Sequence, residues 1–137
     1  MARRALLDTG FVVALVHAGD PDHERCVAAS KTVHAKLLSV EGVLIECAHL
    51  LGKRLDAVRA AMGFISASSV ELVPTTEARI QRALTLMEKY RDIPMDFVDA
   101  LLVVIAEEEN VRDVLTLDRR GFEVFRIRGR RRFRLFP

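Results

Sequence analysis

The chain has 137 residues, half of them apolar and 29% charged, with two cysteines and a net charge of +2. That length and apolar content suit one domain spanning residues 1–137, large enough to bury a core without a disulfide or structural metal, and they exclude a disordered regulator. The longest uncharged apolar run, residues 9–19, covers 11 residues, short of the roughly 18 that a bilayer-spanning helix needs. Arg3 and Arg4 ahead of an apolar stretch imitate a secretory leader, but Asp8 interrupts it. A cytoplasmic protein with no membrane partner is therefore expected. The charge is unevenly spread: residues 119–137 carry eight arginines and one acid, Glu123, and the remainder carries 13 basic and 18 acidic residues.

Taken in chain order, Ala5-Leu6-Leu7 reads as a short buried strand ending at Asp8. Thr9 is placed to cap a helix running to His17. The turn cluster Gly19-Asp20-Pro21-Asp22 leads into a second helix, capped by Asp22 and extending to about Lys36. Leu37-Leu38-Ser39 follows as a second strand. An apolar helix then runs to Leu51, broken by Gly52-Lys53-Arg54, and an amphipathic helix covers residues 55–66. Val70-Glu71-Leu72-Val73 alternates as a strand before Pro74. Thr76 caps a helix to about Tyr90, in which Ile80, Ala83, Leu84 and Met87 keep helical spacing. Residues 95–108 form the next helix, and Asp113-Val114-Leu115-Thr116-Leu117 a strand leading into Asp118. The last segments, 122–127 and 133–136, read as short strands. Strands alternating with helices predict a three-layer α/β/α domain with a mainly parallel central sheet. Cys26 and Cys47 fall inside helices without metal-ligand spacing and read as buried apolar residues.

In open α/β sheets, ligands bind beyond the carboxyl ends of the strands. Asp8 and Asp118 stand at two such ends. Glu46 and Asp99 lie inside helices among apolar neighbours, and Asp96 shares a helical face with Asp99. Alone, each has an ordinary explanation as a helix cap, a solvated acid or a partner of Lys53 and Arg54. Together they form a carboxylate set that repels itself unless a hard divalent cation, Mg²⁺ or Mn²⁺, neutralises it. Such an ion supports hydrolysis of phosphodiesters.

Four segments in order carry a family resemblance. They are Leu6-Leu7-Asp8-Thr9-Gly10-Phe11-Val12-Val13-Ala14-Leu15; Ser39 with Leu44-Ile45-Glu46; Met95-Asp96-Phe97-Val98-Asp99-Ala100; and Leu115-Thr116-Leu117-Asp118-Arg119-Arg120. They resemble PIN domains, and in particular the VapC-like ribonuclease toxins of type II toxin–antitoxin pairs. The resemblance implies a PIN-like fold and a metal-dependent endoribonuclease that hydrolyses RNA phosphodiester bonds. It also implies a cognate antitoxin and a homodimer. It assigns the metal, and with it catalysis, to Asp8, Glu46, Asp99 and Asp118, with Asp96 as a further acid. Thr9 and Thr116 become hydroxyls that orient the ligands or water. Relatives often carry an acid where this chain has Gly121, so an auxiliary carboxylate is absent here.

Other chemistries fit less well. Asp8-Thr9-Gly10 is also the triplet of aspartic proteases, but those are all-β proteins. A phosphoaspartyl phosphatase needs an acid at position 10. A receiver domain needs a late lysine, and none follows Lys89. Glu46 and His49 make half of a di-iron motif that must occur twice. His49 is expected in the core or facing a partner, and Val43, Leu44, Leu50, Leu51 and residues 55–65 are candidate partner-binding faces. Arg130, Arg132 and Arg134 alternate as on one basic strand. With Arg119 and Arg120 they are read as holding the RNA backbone, although edge strands also carry cations simply to block pairing. A non-catalytic RNA- or protein-binding module and a metal-dependent DNA nuclease remain as alternatives.

Overall fold

The first strand of the chain is the central one. In a computed structural model describing residues 3–137, β1 (Arg4–Leu7) pairs in parallel with β2 (Lys36–Ser39) on one side and β4 (Asp113–Leu115) on the other. β3 (Glu71–Leu72) extends the sheet beyond β2, and β7 (Arg134–Phe136) beyond β4. The order is β3-β2-β1-β4-β7, with every pairing parallel. Ala5, Leu6 and Leu7 are fully buried. This is why β1 reads as an unbroken apolar run: both its faces are covered by helices.

The connections divide the helices between the two faces. α1 (Thr9–Val16), α2 (His23–Thr32), α3 (Glu41–Leu51) and α4 (Leu55–Ala67) pack on one another as the chain moves from β1 through β2 to β3. α5 (Glu77–Lys89) and α6 (Phe97–Glu109) pack together in the return crossover from β3 to β4. Right-handed crossovers place two paths of opposite direction on opposite faces, giving the expected α/β/α layering. α6 buries every residue from Asp99 to Glu107. The short α7 (Arg119–Phe122) precedes a separate antiparallel hairpin of β5 (Arg126–Ile127) and β6 (Arg131–Arg132). Cys26 and Cys47 are buried free thiols inside helices.

Several expected boundaries move for local reasons. Asp8, not Thr9, caps α1, its Oδ1 accepting from Thr9 N at 2.8 Å. α2 stops at Thr32, because Lys36 already pairs with Arg4 in the sheet. Asp22 stands at the N-cap of α2 but makes no side-chain capping bond, its carboxylate turning instead to Arg25 at 2.7 Å. Residues 122–127 are not one strand: a helical turn through Phe122 stacks that ring edge-to-face on Phe125 at 5.3 Å. Nor do Arg130, Arg132 and Arg134 share a strand. Phe133 turns inward against Phe122 at 5.2 Å and divides β6 from β7.

Two buried acids secure the arginine-rich end. Glu107 in α6 accepts from Arg82 Nε at 3.0 Å and from the Arg128 backbone amide at 3.0 Å, tying the hairpin to α5 and α6. Asp113, the first residue of β4, accepts from Arg134 Nε at 2.8 Å and from Arg3 Nε at 2.8 Å. Burial pushes the Asp113 carboxyl up, but the bonds from Arg134 and Arg3 more than reverse this and hold it below its ordinary range. A carboxyl depressed by folding adds stability above its unfolded value, 3.8 here, and loses it as pH falls through the folded one. Asp113→Asn is therefore expected to cost about 2 kcal/mol at pH 7. In urea titrations its deficit from the parent should narrow progressively as pH falls below 3.8; a gap that is constant with pH contradicts the assignment.

Candidate active site

β1 and β4 are neighbours, yet the chain leaves β1 toward β2 and leaves β4 toward β7. A crevice opens where connections diverge in this way, and the residues that follow the two strands stand at its mouth. Asp8 follows β1, its backbone amide bonded to Leu115 O at 3.0 Å, and only 7% of the residue is exposed. Thr116 follows β4 and is buried. Its Oγ1 donates to Asp8 Oδ2 at 2.7 Å and accepts from the Asp118 amide at 2.9 Å. One hydroxyl thus sets the positions of both strand-end acids.

The other acids arrive from helices on both faces. Glu46 lies on α3, and its Oε1 accepts from Thr9 Oγ1 at 2.6 Å. Asp99 and Asp96 form a reciprocal capping box at the start of α6. Asp96 Oδ1 accepts from Asp99 N at 2.8 Å, and Asp99 Oδ2 accepts from Asp96 N at 3.2 Å. Asp118 Oδ1 caps α7 through Gly121 N at 3.0 Å. Asp8, Glu46, Asp96, Asp99 and Asp118 all line one cleft of about 750 Å³, together with Thr9 and Arg120.

The arginines separate into two groups. Arg120 stands at the cleft, and Arg119, beside it in the chain, is bonded to Glu123 and to the Pro137 carbonyl. Arg134 opens β7 opposite Asp113, at the other end of the sheet from Asp8. Arg132 belongs to the β5–β6 hairpin and Arg130 to its turn. The structure therefore does not bring Arg130, Arg132 and Arg134 to the carboxylates.

Sequence reasoning missed Ile45. It is 66% exposed and lines the cleft with His49 and with Leu50, which is 59% exposed. His49 is not in the core. The signal was available in the spacing, since His49 lies three residues after Glu46 and four after Ile45, which places all three on neighbouring parts of one helical face.

The electrostatics of the cleft are unfavourable as they stand. Burial pushes the Asp8 carboxyl up to about 6, against the bonds from Thr116 and Thr9 and with the charges of Asp118 and Asp96 adding to the rise. Asp99 is raised further, by burial first and then by the charges of Asp8 and Asp96. Among the described residues, no three acids, histidines or cysteines already stand in the arrangement of a metal cage. The donor set nevertheless suits a hard divalent ion. One oxygen each of Glu46, Asp96, Asp99 and Asp118 accepts no hydrogen bond among the described residues, and carboxylate oxygens are the ligands that hard cations prefer.

Residues 5–127 match the PIN domain family. The chain belongs to it. A curated relative, Ribonuclease VapC26 of Mycobacterium tuberculosis, is 31% identical over 137 residues, covering 96% of this chain and 99% of that protein. Two solved structures share the fold. The crystal structure of Mycobacterium tuberculosis VapC20, a toxin that cleaves the Sarcin-Ricin loop, superposes with a TM-score of 0.73 at 22% identity, covering 80% of this chain and 86% of the other. A toxin–antitoxin complex from Klebsiella pneumoniae gives 0.67 at 15% identity, covering 88% and 92%.

Gly121 is fixed sterically in this PIN domain. A Cβ there would stand 2.5 Å from Asp118 Oδ2 and 2.9 Å from the Phe125 ring. Alanine would gain up to about 1 kcal/mol of helix propensity, against about 1–3 kcal/mol for forcing a methyl into filled space. Gly121→Ala is expected to lower stability by about 1–2 kcal/mol in urea denaturation, because Asp118 must leave its cap. A neutral or stabilising effect would show that Asp118 is not held in this position.

Proposed function

We propose that this PIN domain hydrolyses RNA phosphodiester bonds with Mg²⁺ or Mn²⁺, acting as the toxin of a toxin–antitoxin pair. The observation that carries this reading is the convergence of carboxylates from four separate segments on one cleft, with no lysine or arginine among the described residues bonded to them. Carboxylates that serve only architecture receive arginines here, as Asp113 and Glu107 do. Those of the cleft receive only hydroxyls and amides, an arrangement favourable only when a cation supplies the missing charge.

Asp8, Glu46, Asp99 and Asp118 would hold the ion, with Asp96 at the outer edge. Bound there, it supplies Lewis acidity toward a phosphoryl oxygen and a more acidic water. The protein's own part is positional. Thr116 keeps Asp8 and the Asp118 backbone in register, and Thr9 keeps Glu46 turned inward. Arg120 at the cleft can pair with a substrate phosphate. The 31% identical relative, Ribonuclease VapC26, supports RNA as the substrate. The proposal extends to partners: the exposed Ile45 and Leu50 on the rim are apolar ground for an antitoxin segment or for a second copy of the chain.

The test is cleavage of end-labelled RNA and of matched DNA by the purified chain, in Mg²⁺ or Mn²⁺ and in EDTA. RNA cleavage is expected only with metal, and Asp8→Asn should lower it at least 100-fold, the scale set by loss of one strong electrostatic contact. In EDTA at pH 8 the same variant should melt no lower than the parent, since it removes a self-repelling charge. Cleavage that survives EDTA, or a folded Asp8→Asn with full activity, would overturn the reading. Preference for DNA would correct the substrate.

A further inference from the structure

We infer that the chain carries a second phosphate-binding site, at the end of the sheet opposite the acidic cleft, which holds the backbone of the RNA away from the bond that is cut. The inference rests on the RNA reading above and adds to it a place and a set of residues.

A pocket of about 300 Å³ opens where β4 and β7 begin, lined by Arg4, Asn110, Arg112, Asp113, Arg131 and Arg134. Three of its four guanidinium groups have partners within the protein. Arg134 pairs with Asp113, Arg4 with Glu109, and Arg131 with the Asn110 carbonyl oxygen. Arg112 differs: its Nε is buried and has no hydrogen-bond partner among the described residues. The buried Nε is closed to solvent, so an oxyanion in the pocket would meet the outer nitrogens of the Arg112 guanidinium, which donate to no described residue, beside three further cations. The site is concave, and its fork-shaped donors match phosphate geometry.

The fold favours an RNA phosphate over a single carboxylate. Local carboxylates from Asp113 and Glu109 are already present, and the pocket stays positive, with Arg4, Arg112, Arg131 and Arg134 against these two acids. β7 is the edge strand and runs from Arg134, in the pocket, to Phe136; the Pro137 carbonyl that follows is bonded to Arg119, next to Arg120 at the cleft. By strand rise the two ends are roughly 10 Å apart, a span that a short length of extended nucleic acid bridges. The pocket and the cleft are thus two ends of one track along an exposed edge, with arginines at both.

Arg112→Met and Arg131→Ala test this, the second because Arg131 is exposed and its loss leaves the core intact. Binding of a labelled single-stranded RNA is measured in the Asp8→Asn background across a salt series. Each variant is expected to bind several-fold more weakly, with the salt slope reduced by about 0.7 for the lost phosphate contact. In the otherwise unaltered chain, cleavage of a dinucleotide too short to reach the pocket should be unaffected. Inorganic phosphate should raise the melting temperature of the parent in a saturable way and leave Arg112→Met unmoved. A parent that binds RNA while both variants keep its affinity and slope overturns this site alone. A parent that binds no RNA overturns the underlying reading as well. Competition by polyglutamate but not by RNA would assign the pocket to a protein partner and overturn the RNA track.

Discussion

Like charges brought together out of water push apart, and the centre of this molecule is organised around that constraint. Asp8 is almost fully buried and Asp99 nearly so, each raised by burial and by the other acids of the cleft. The fold holds them there through neutral donors. Thr116 bonds to Asp8 and Asp118, Thr9 bonds to Glu46, and Asp96 and Asp99 cap one another's backbone. Backbone amides and hydroxyls fix direction without cancelling charge, so the cleft retains a negative potential. The parallel sheet makes this possible, because at the divergence of β1 and β4 the ends of two strands, the start of α6 and one face of α3 meet at one crevice.

The same chain treats acids differently where they serve architecture. Asp113 receives two arginines, and Glu107 one arginine and a backbone amide. Removing one partner from such a group leaves an uncompensated buried charge, so pairs of this kind hold elements in register. The resulting polarity runs along the strands, acidic beyond their carboxyl ends and arginine-rich at their beginnings. Net charge, near neutral for the whole chain, conceals it.

Much of this was legible in the sequence because it rests on local pattern. The run Ala5-Leu6-Leu7 before Asp8, and Val114-Leu115 before Asp118, mark strands buried on both faces with an acid at each exit. The four family segments located every acid of the cleft. What escaped depended on short elements or on distant partners. α7 is only four residues long, too short for a helical period to show, and its last residue, Phe122, reads instead as the start of a strand. Thr9 looks like a cap from its type alone, but the better acceptor one residue earlier takes that place. The arginine tail suggested one basic strand beside the acids. Its division by Phe133, and the pairing of Arg134 with Asp113, depend on contacts that no local window contains.

The order of the strands also bears on when the cleft comes into being during synthesis. β1 emerges from the ribosome before β2 and β3, yet its central partner β4 follows much later, and Thr116 is 108 residues beyond the Asp8 that it holds. Non-local pairing of this kind is slow and comes last. Until β4 has emerged, β1 can pair only with β2, and the acids of the first half have no opposite wall. A nascent chain therefore carries separate pieces of the cleft and no assembled one. Asp118 is the last acid of the cleft in chain order, so a chain interrupted before it lacks part of the acidic wall.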